Sequence, residues 1–173
     1  SGNDAIVTDY NGNIDFSFEN GYGDFSIEMW IEEGELRCQI DDMNSGGASG
    51  GSTIDLTGNS AQRGNIVQAS LAIDGMLLES GDEFSFNDAV GPRTTAYGYK
   101  SAINGRGVKT VGGGVAQVAS ALWLAVKDMD NISVTEMATY GDAYNQTYVD
   151  SPDDAILVDY QNDTDFRFRY TGD

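Results

Sequence analysis

The chain has 173 residues, 40% of them hydrophobic, which suits one well-buried core and argues against a disordered chain. Twenty-eight Asp and Glu against nine Lys and Arg give a net charge of −19, which opposes binding to nucleic acid or to an anionic bilayer. There is no histidine and Cys38 is the sole cysteine, so an internal disulfide, the commonest zinc ligand and the commonest general base are all missing; no metal or cofactor is expected.

In chain order, the first forty residues alternate. Ile14, Phe16 and Phe18, then Phe25, Ile27, Met29 and Ile31, then Leu36, Cys38 and Ile40 recur at period two between Asn-Gly and Glu-Gly breaks, which predicts antiparallel hairpins. Cys38 reads as a small buried apolar residue within that pattern. Residues 44–52, NSGGASGGS, have the composition of a flexible linker, so the expected organisation is a hairpin segment over 1–43, a linker over 44–58 and a core over 59–173. Asn59 or Ser60 can cap a helix whose stripe is Ile66, Ala69 and Ile73. Short strands are expected at Met76–Leu78 and at 84–86. Asn104-Gly105 predicts a tight hairpin before Val108 and Val111. Val115, Val118, Leu122, Ala125, Val126 and Met129 then form the most apolar helical stripe in the chain, predicting a central core helix over about 115–129. Further strands are expected around Val134, Tyr148-Val149, 156–158, Phe166 and Phe168. The fold class that follows is α+β, a mainly antiparallel sheet packed on the central helix, with a second helix over about 60–73 and N-terminal hairpins.

No run of about 18 apolar residues is present, so no membrane span is expected. The chain opens without a charged-then-apolar leader, and its Ser1-Gly2 start reads as a cleaved end, which leaves room for a removed export signal.

Charge is unevenly spread. No acid lies between Asp88 and Asp128, whereas Arg93, Lys100, Arg106, Lys109 and Lys127, five of the nine bases, do. Either this segment presents a site for an anionic group or it is merely buried and poor in charge.

The two ends share a pattern: residues 4–18, DAIVTDYNGNIDFSF, align without gaps to residues 154–168, DAILVDYQNDTDFRF. Two explanations stand, a window cut from a tandem array with a period near 150 or a circular rearrangement with overlapping ends. Strand-mediated association with neighbouring repeats is an expected consequence. The set Asp9, Asn11, Asn13 and Asp15 superficially matches a calcium loop, but the sixth-position glycine and the closing glutamate are missing, so it reads as a solvated hairpin face.

RGNI at 63–66, GDEFSFNDAVGPRT at 81–94, YGYKSA at 97–102, GGGVAQVASALW at 112–123, YVDSPDDA at 148–155 and DFRF at 165–168 follow one another as in the VanW domain family of exported cell-wall proteins, which the chain resembles over nearly its whole length. Residues 15–40 look like that family's C-terminal strands, here preceding the body of the domain. The resemblance implies an extracellular, cell-wall setting and peptidoglycan chemistry, since some members are L,D-transpeptidases with a cysteine nucleophile immediately before the glutamine. That position is Ala116 here, before Gln117. The family's histidine is missing too: Tyr140, Gly141 and Asp142 stand in its region.

Gly112, Gly113 and Gly114 would let a backbone approach closely, and the following helix start would favour a thiolate or an oxyanion; the methyl of Ala116 does neither. Two readings of the glycines stand, a groove for an extended peptide and plain close packing of helix on strand. In the first, Arg93, Lys100, Arg106 and Lys109 attract a carboxylate, Tyr97 and Tyr99 pack on the peptide and Gln117 bonds its backbone, the partner being a peptidoglycan stem peptide or another cell-wall or surface ligand. Aromatic residues in such a loop serve equally as core plugs. The expected function is a non-catalytic VanW domain. The alternatives are an L,D-transpeptidase inactivated by an engineered Cys-to-Ala change at 116, and a structural or adhesin repeat.

Overall fold

A computed structural model describes residues 24–44 and 48–172. The N-terminal copy of the repeat and the calcium-like set at 9–15 lie outside the described residues. The alternating residues build an antiparallel hairpin, β1 (Phe25–Glu32) and β2 (Glu35–Asp42), closed by Glu33 and Gly34 at positive φ as a two-residue turn requires. Phe25, Ile27 and Met29 of β1 and Leu36, Cys38 and Ile40 of β2 are buried. Burial pushes the Cys38 thiol well above its ordinary pKa, as the apolar reading of this residue implies.

Within the stretch expected as a linker, residues 49–55 instead form β3 (Ser49–Asp55), which pairs with β2. Its small residues have a packing cause. A Cβ on Gly50 would stand 1.9 Å from the Ala125 carbonyl oxygen, and the Ser52 hydroxyl donates to the Ala121 carbonyl at 2.6 Å. Helix backbone lies directly on this strand, so glycine and serine mark close approach here.

Helix α1 (Ser60–Ile73) begins where the cap predicts, the Asn59 side chain accepting from the Gln62 amide, and buries Ile66, Ala69 and Ile73. β4 (Met76–Leu78) follows and pairs with β1, giving the order β3-β2-β1-β4. The N-terminal hairpin and the core thus share one sheet. Gly64, inside α1, has nothing within 4 Å of a would-be Cβ. Gly64→Ala is therefore expected to stabilise the chain by about 0.5–1 kcal/mol, read as a raised urea midpoint at unchanged slope.

β5 (Glu83–Ser85) runs into a short helix α2 (Phe86–Val90), and a hairpin of β6 (Ser101–Ile103) and β7 (Lys109–Val111) leads to α3 (Val115–Val126). α3 is the central core helix, buried at Val115 through Leu122 and again at Ala125 and Val126. It ends three residues earlier than its stripe suggests, Met129 being held by a turn to the Val126 carbonyl. Ser120 is a packed hydroxyl that accepts from the Ile156 amide at 2.9 Å. Trp123 lies beside the buried face, edge-on to Phe166 with ring centroids 6.2 Å apart, its indole N–H donating to Asp154 at 2.9 Å. β8 (Ile132–Glu136) and β9 (Arg167–Tyr170) complete a second antiparallel sheet in the order β5-β9-β8.

The segments around Tyr148-Val149 and 156–158, expected as strands, are irregular apart from a single bridge between Thr139 and Ile156. Tyr148, Val149 and Ile156 are buried all the same. A short apolar run signals burial before it signals a strand.

Candidate functional site

The glycine turn is clamped from α1. Asn65, 1% exposed, donates through Nδ2 to the Gly113 carbonyl at 2.9 Å and to the Lys100 carbonyl at 2.8 Å, while its Oδ1 accepts from the Lys100 amide at 2.9 Å. Gln62, one turn earlier, donates to the Ile103 carbonyl at 2.9 Å. Space decides the residue type at the turn: a Cβ on Gly113 would lie 2.0 Å from the Ala102 carbonyl oxygen, and Gly112 and Gly114 hold φ of 83° and 102°. The turn delivers Ala116 to the first turn of α3 with its methyl at a cleft.

That cleft has a volume of about 490 Å³. Its floor is the glycine turn and Ala116, and the walls are Arg93, Arg106 with Tyr140, and the turn at 157–164. Arg93 is built in from the FSFN segment. Its guanidinium donates to the Asn87 Oδ1 at 2.7 Å and to the Gly91 carbonyl at 2.9 Å, and its carbon lies 5.7 Å from the ring centroids of both Phe86 and Tyr160. Asn87 is fixed in turn by the buried Asp165, which accepts from the Asn87 amide and from the Ser85 hydroxyl. Burial lowers the Arg93 pKa, opposed chiefly by Tyr99 and Asp159, and a guanidinium stays charged regardless. Two of its five N–H donors are used among the described residues.

Across the cleft the Arg106 guanidinium stands 5.8 Å from the Tyr140 ring centroid. Tyr140 packs on Gly105, and burial raises its phenol pKa away from neutrality. Asp159 is occupied within its own turn, accepting from the Gln161 and Asn162 amides and from the Asn162 side chain. Arg93 and Arg106 thus put two cationic side chains in the walls of the cleft.

Of the residues singled out from sequence, the cleft brings together Arg93, Arg106, Gly112, Gly114 and Ala116. Gly113 lies behind the turn against β6. Gln117 is 1% exposed and donates to the Thr57 hydroxyl at 3.2 Å, away from the cleft, because consecutive helical residues point about 100° apart. Tyr99 is a core plug at 3% exposure, whereas Tyr97 is 62% exposed with its carbonyl held by Gln68. Lys100 and Lys109 are exposed and do not line the cleft.

Sequence reasoning missed the clamp of Gln62 and Asn65 and the wall at 157–164. The signal for the first was two polar residues three apart on the apolar stripe of α1. For the second it was the repeated Asp-Tyr of the two ends.

Fold and site together define an α+β domain in which a clamped glycine turn feeds a buried helix into an arginine-walled cleft. The chain belongs to the VanW family, whose description, VanW like protein, matches residues 61–173. β1 to β3 precede the matched span. It is also 35% identical over 114 residues to "Uncharacterized protein YoaR" of Bacillus subtilis (strain 168), a match covering 64% of this chain and 36% of that protein. The chain thus spans about a third of that relative's length. No solved structure matches it.

Proposed function

We propose that the chain is an exported, cell-surface VanW domain that binds the carboxylate end of a peptidoglycan stem peptide without cross-linking it. The observation that carries this reading is Arg93: a guanidinium fixed by Asn87 and Gly91 and flanked by two rings in the wall of a cleft that Arg106 also lines, in a chain of net charge −19. Fixed planar donors suit bidentate recognition of a carboxylate. Absence of turnover follows from the chemistry. In acyl transfer a thiolate attacks the peptide carbonyl and the leaving amine takes up a proton. Ala116 has no thiol, and a chain without histidine offers no side chain of ordinary pKa near neutrality to carry that proton.

Calorimetric titration of a soluble stem tetrapeptide into the full chain is expected to give saturable binding. Affinity should fall about ten-fold in Arg106→Gln and again when the peptide's terminal carboxylate is amidated, because each change removes a charge-assisted contact. Equal affinity for the amidated peptide, or no saturation at millimolar concentration, refutes the carboxylate reading. Ala116→Cys tests the rest. It is expected to label with iodoacetamide, since a helix start favours the thiolate, and to form no 3-3 cross-links from muropeptides. Cross-links made by that variant would identify an L,D-transpeptidase lacking only its nucleophile.

A further inference from the structure

The hairpin that leads into the glycine turn leaves one edge open. β6 and β7 pair Ser101 with Val111, Ala102 with Thr110 and Ile103 with Lys109, and just beyond them the Asn104 amide donates to the Val108 carbonyl and the Gly112 amide to the Lys100 carbonyl. Bonded pairs in an antiparallel ladder recur at every second residue, so Val108, Thr110 and Gly112 turn their backbone groups toward β6, while Lys109 and Val111 turn theirs away. Neither Lys109 nor Val111 has a backbone partner on that side among the described residues, and all of β7 is exposed. Among the described strands, β7 alone contributes residues to the cleft, Thr110 and Val111. Successive side chains of a strand point to opposite faces, so two neighbours lining one cleft mean that the strand meets it along an edge.

We propose that an extended peptide adds to the free edge of β7 as a third strand, its main chain bonded to Lys109 and Val111 and its terminal carboxylate at Arg93. Charge selects this occupant. Arg93 stands at the far end of β7, where a Cβ on Gly112 would lie 2.8 Å from the Arg93 Cβ, and Arg106 lies in the turn that precedes β7, so cationic walls bracket the open edge. With the carboxylate at the Gly112 end, the added strand runs parallel to β7. Both edge N–H groups then donate to the peptide, and main-chain bonds of this kind supply affinity without reading side chains. Strand addition rests on the carboxylate site proposed above and supplies what that site lacks, a grip on the rest of the peptide.

Amide hydrogen exchange of the full chain, followed by NMR with and without a saturating soluble stem tetrapeptide, is expected to slow at least about ten-fold at Lys109 and Val111, and far less at Thr110, which β6 already holds. Saturation without that protection overturns strand addition and leaves the carboxylate reading standing; no saturation at millimolar concentration overturns both. Protection at Lys109 and Val111 already present without peptide overturns strand addition as well, because the edge would then have another occupant. Val111→Pro removes one edge-facing N–H and spares the β6 ladder, since an edge strand accepts proline where its N–H faces outward. That variant, folded by circular dichroism, is expected to bind the tetrapeptide about ten-fold more weakly while amidation of the carboxylate keeps its full effect. Unchanged affinity in it overturns the proposal, and the exchange measurement on the unaltered chain decides the matter if the variant does not fold.

Discussion

Leu122→Asn is expected to cost about 3 kcal/mol or more of stability, measured by urea denaturation of the full chain. Leu122 is fully buried at the middle of α3. That helix lies on β2 and β3 and against α1, and its far flank meets the segment carrying Ile156 and Phe166. Losing the leucine removes apolar contacts, while the new amide must give up water on entering a buried position. Both contributions act in one direction, which sets this substitution apart from an ordinary core truncation. A loss under about 1 kcal/mol would mean that α3 is peripheral to the fold.

Gly113→Ala is the second large effect, at about 3 kcal/mol, near the upper end for overpacking. One methyl is added, but it would meet the Ala102 carbonyl oxygen at 2.0 Å and its carbon at 2.3 Å, and both are backbone atoms. No rotamer change relieves such a contact. Either β6 or the turn must move, and moving the turn strains the Asn65 bonds to Gly113 and Lys100 that set the start of α3. The stability loss should therefore come with weakened peptide binding. Unchanged stability by urea denaturation would show that the turn has slack. The contrast with Gly64, where a methyl meets open space, makes the pair a test of geometry and not of glycine content.

Much of the fold was legible because local pattern and tertiary role agree. The period-two residues of β1 and β2 are the ones buried, except Ile31, which is half-buried at the hairpin end, and Asn59 caps α1 as its side chain permits. Arg93 and Arg106 were legible as an excess of base in an acid-free stretch. β3 was not, because the glycine and serine that let α3 approach erase the apolar signal of a strand. Tyr97 and Tyr99 sit two residues apart in one loop, and only the core behind Tyr99 distinguishes them. Gln117 was misplaced relative to the cleft for a simpler reason. Adjacency to Ala116 in sequence is separation around a helix. The wall at 157–164 reaches the cleft from more than thirty residues beyond the end of α3, a proximity no local pattern encodes.

The burial of Cys38 bears on how the chain would fare in an oxidising medium. An unpaired cysteine there ordinarily couples two molecules or climbs toward sulfenic and higher acids, and both routes begin with an accessible thiolate. Cys38 points into the sheet's packed face at 2% exposure with its deprotonation disfavoured by burial, so neither route has a starting species at appreciable population. The chain can therefore keep its one free thiol reduced without a partner cysteine.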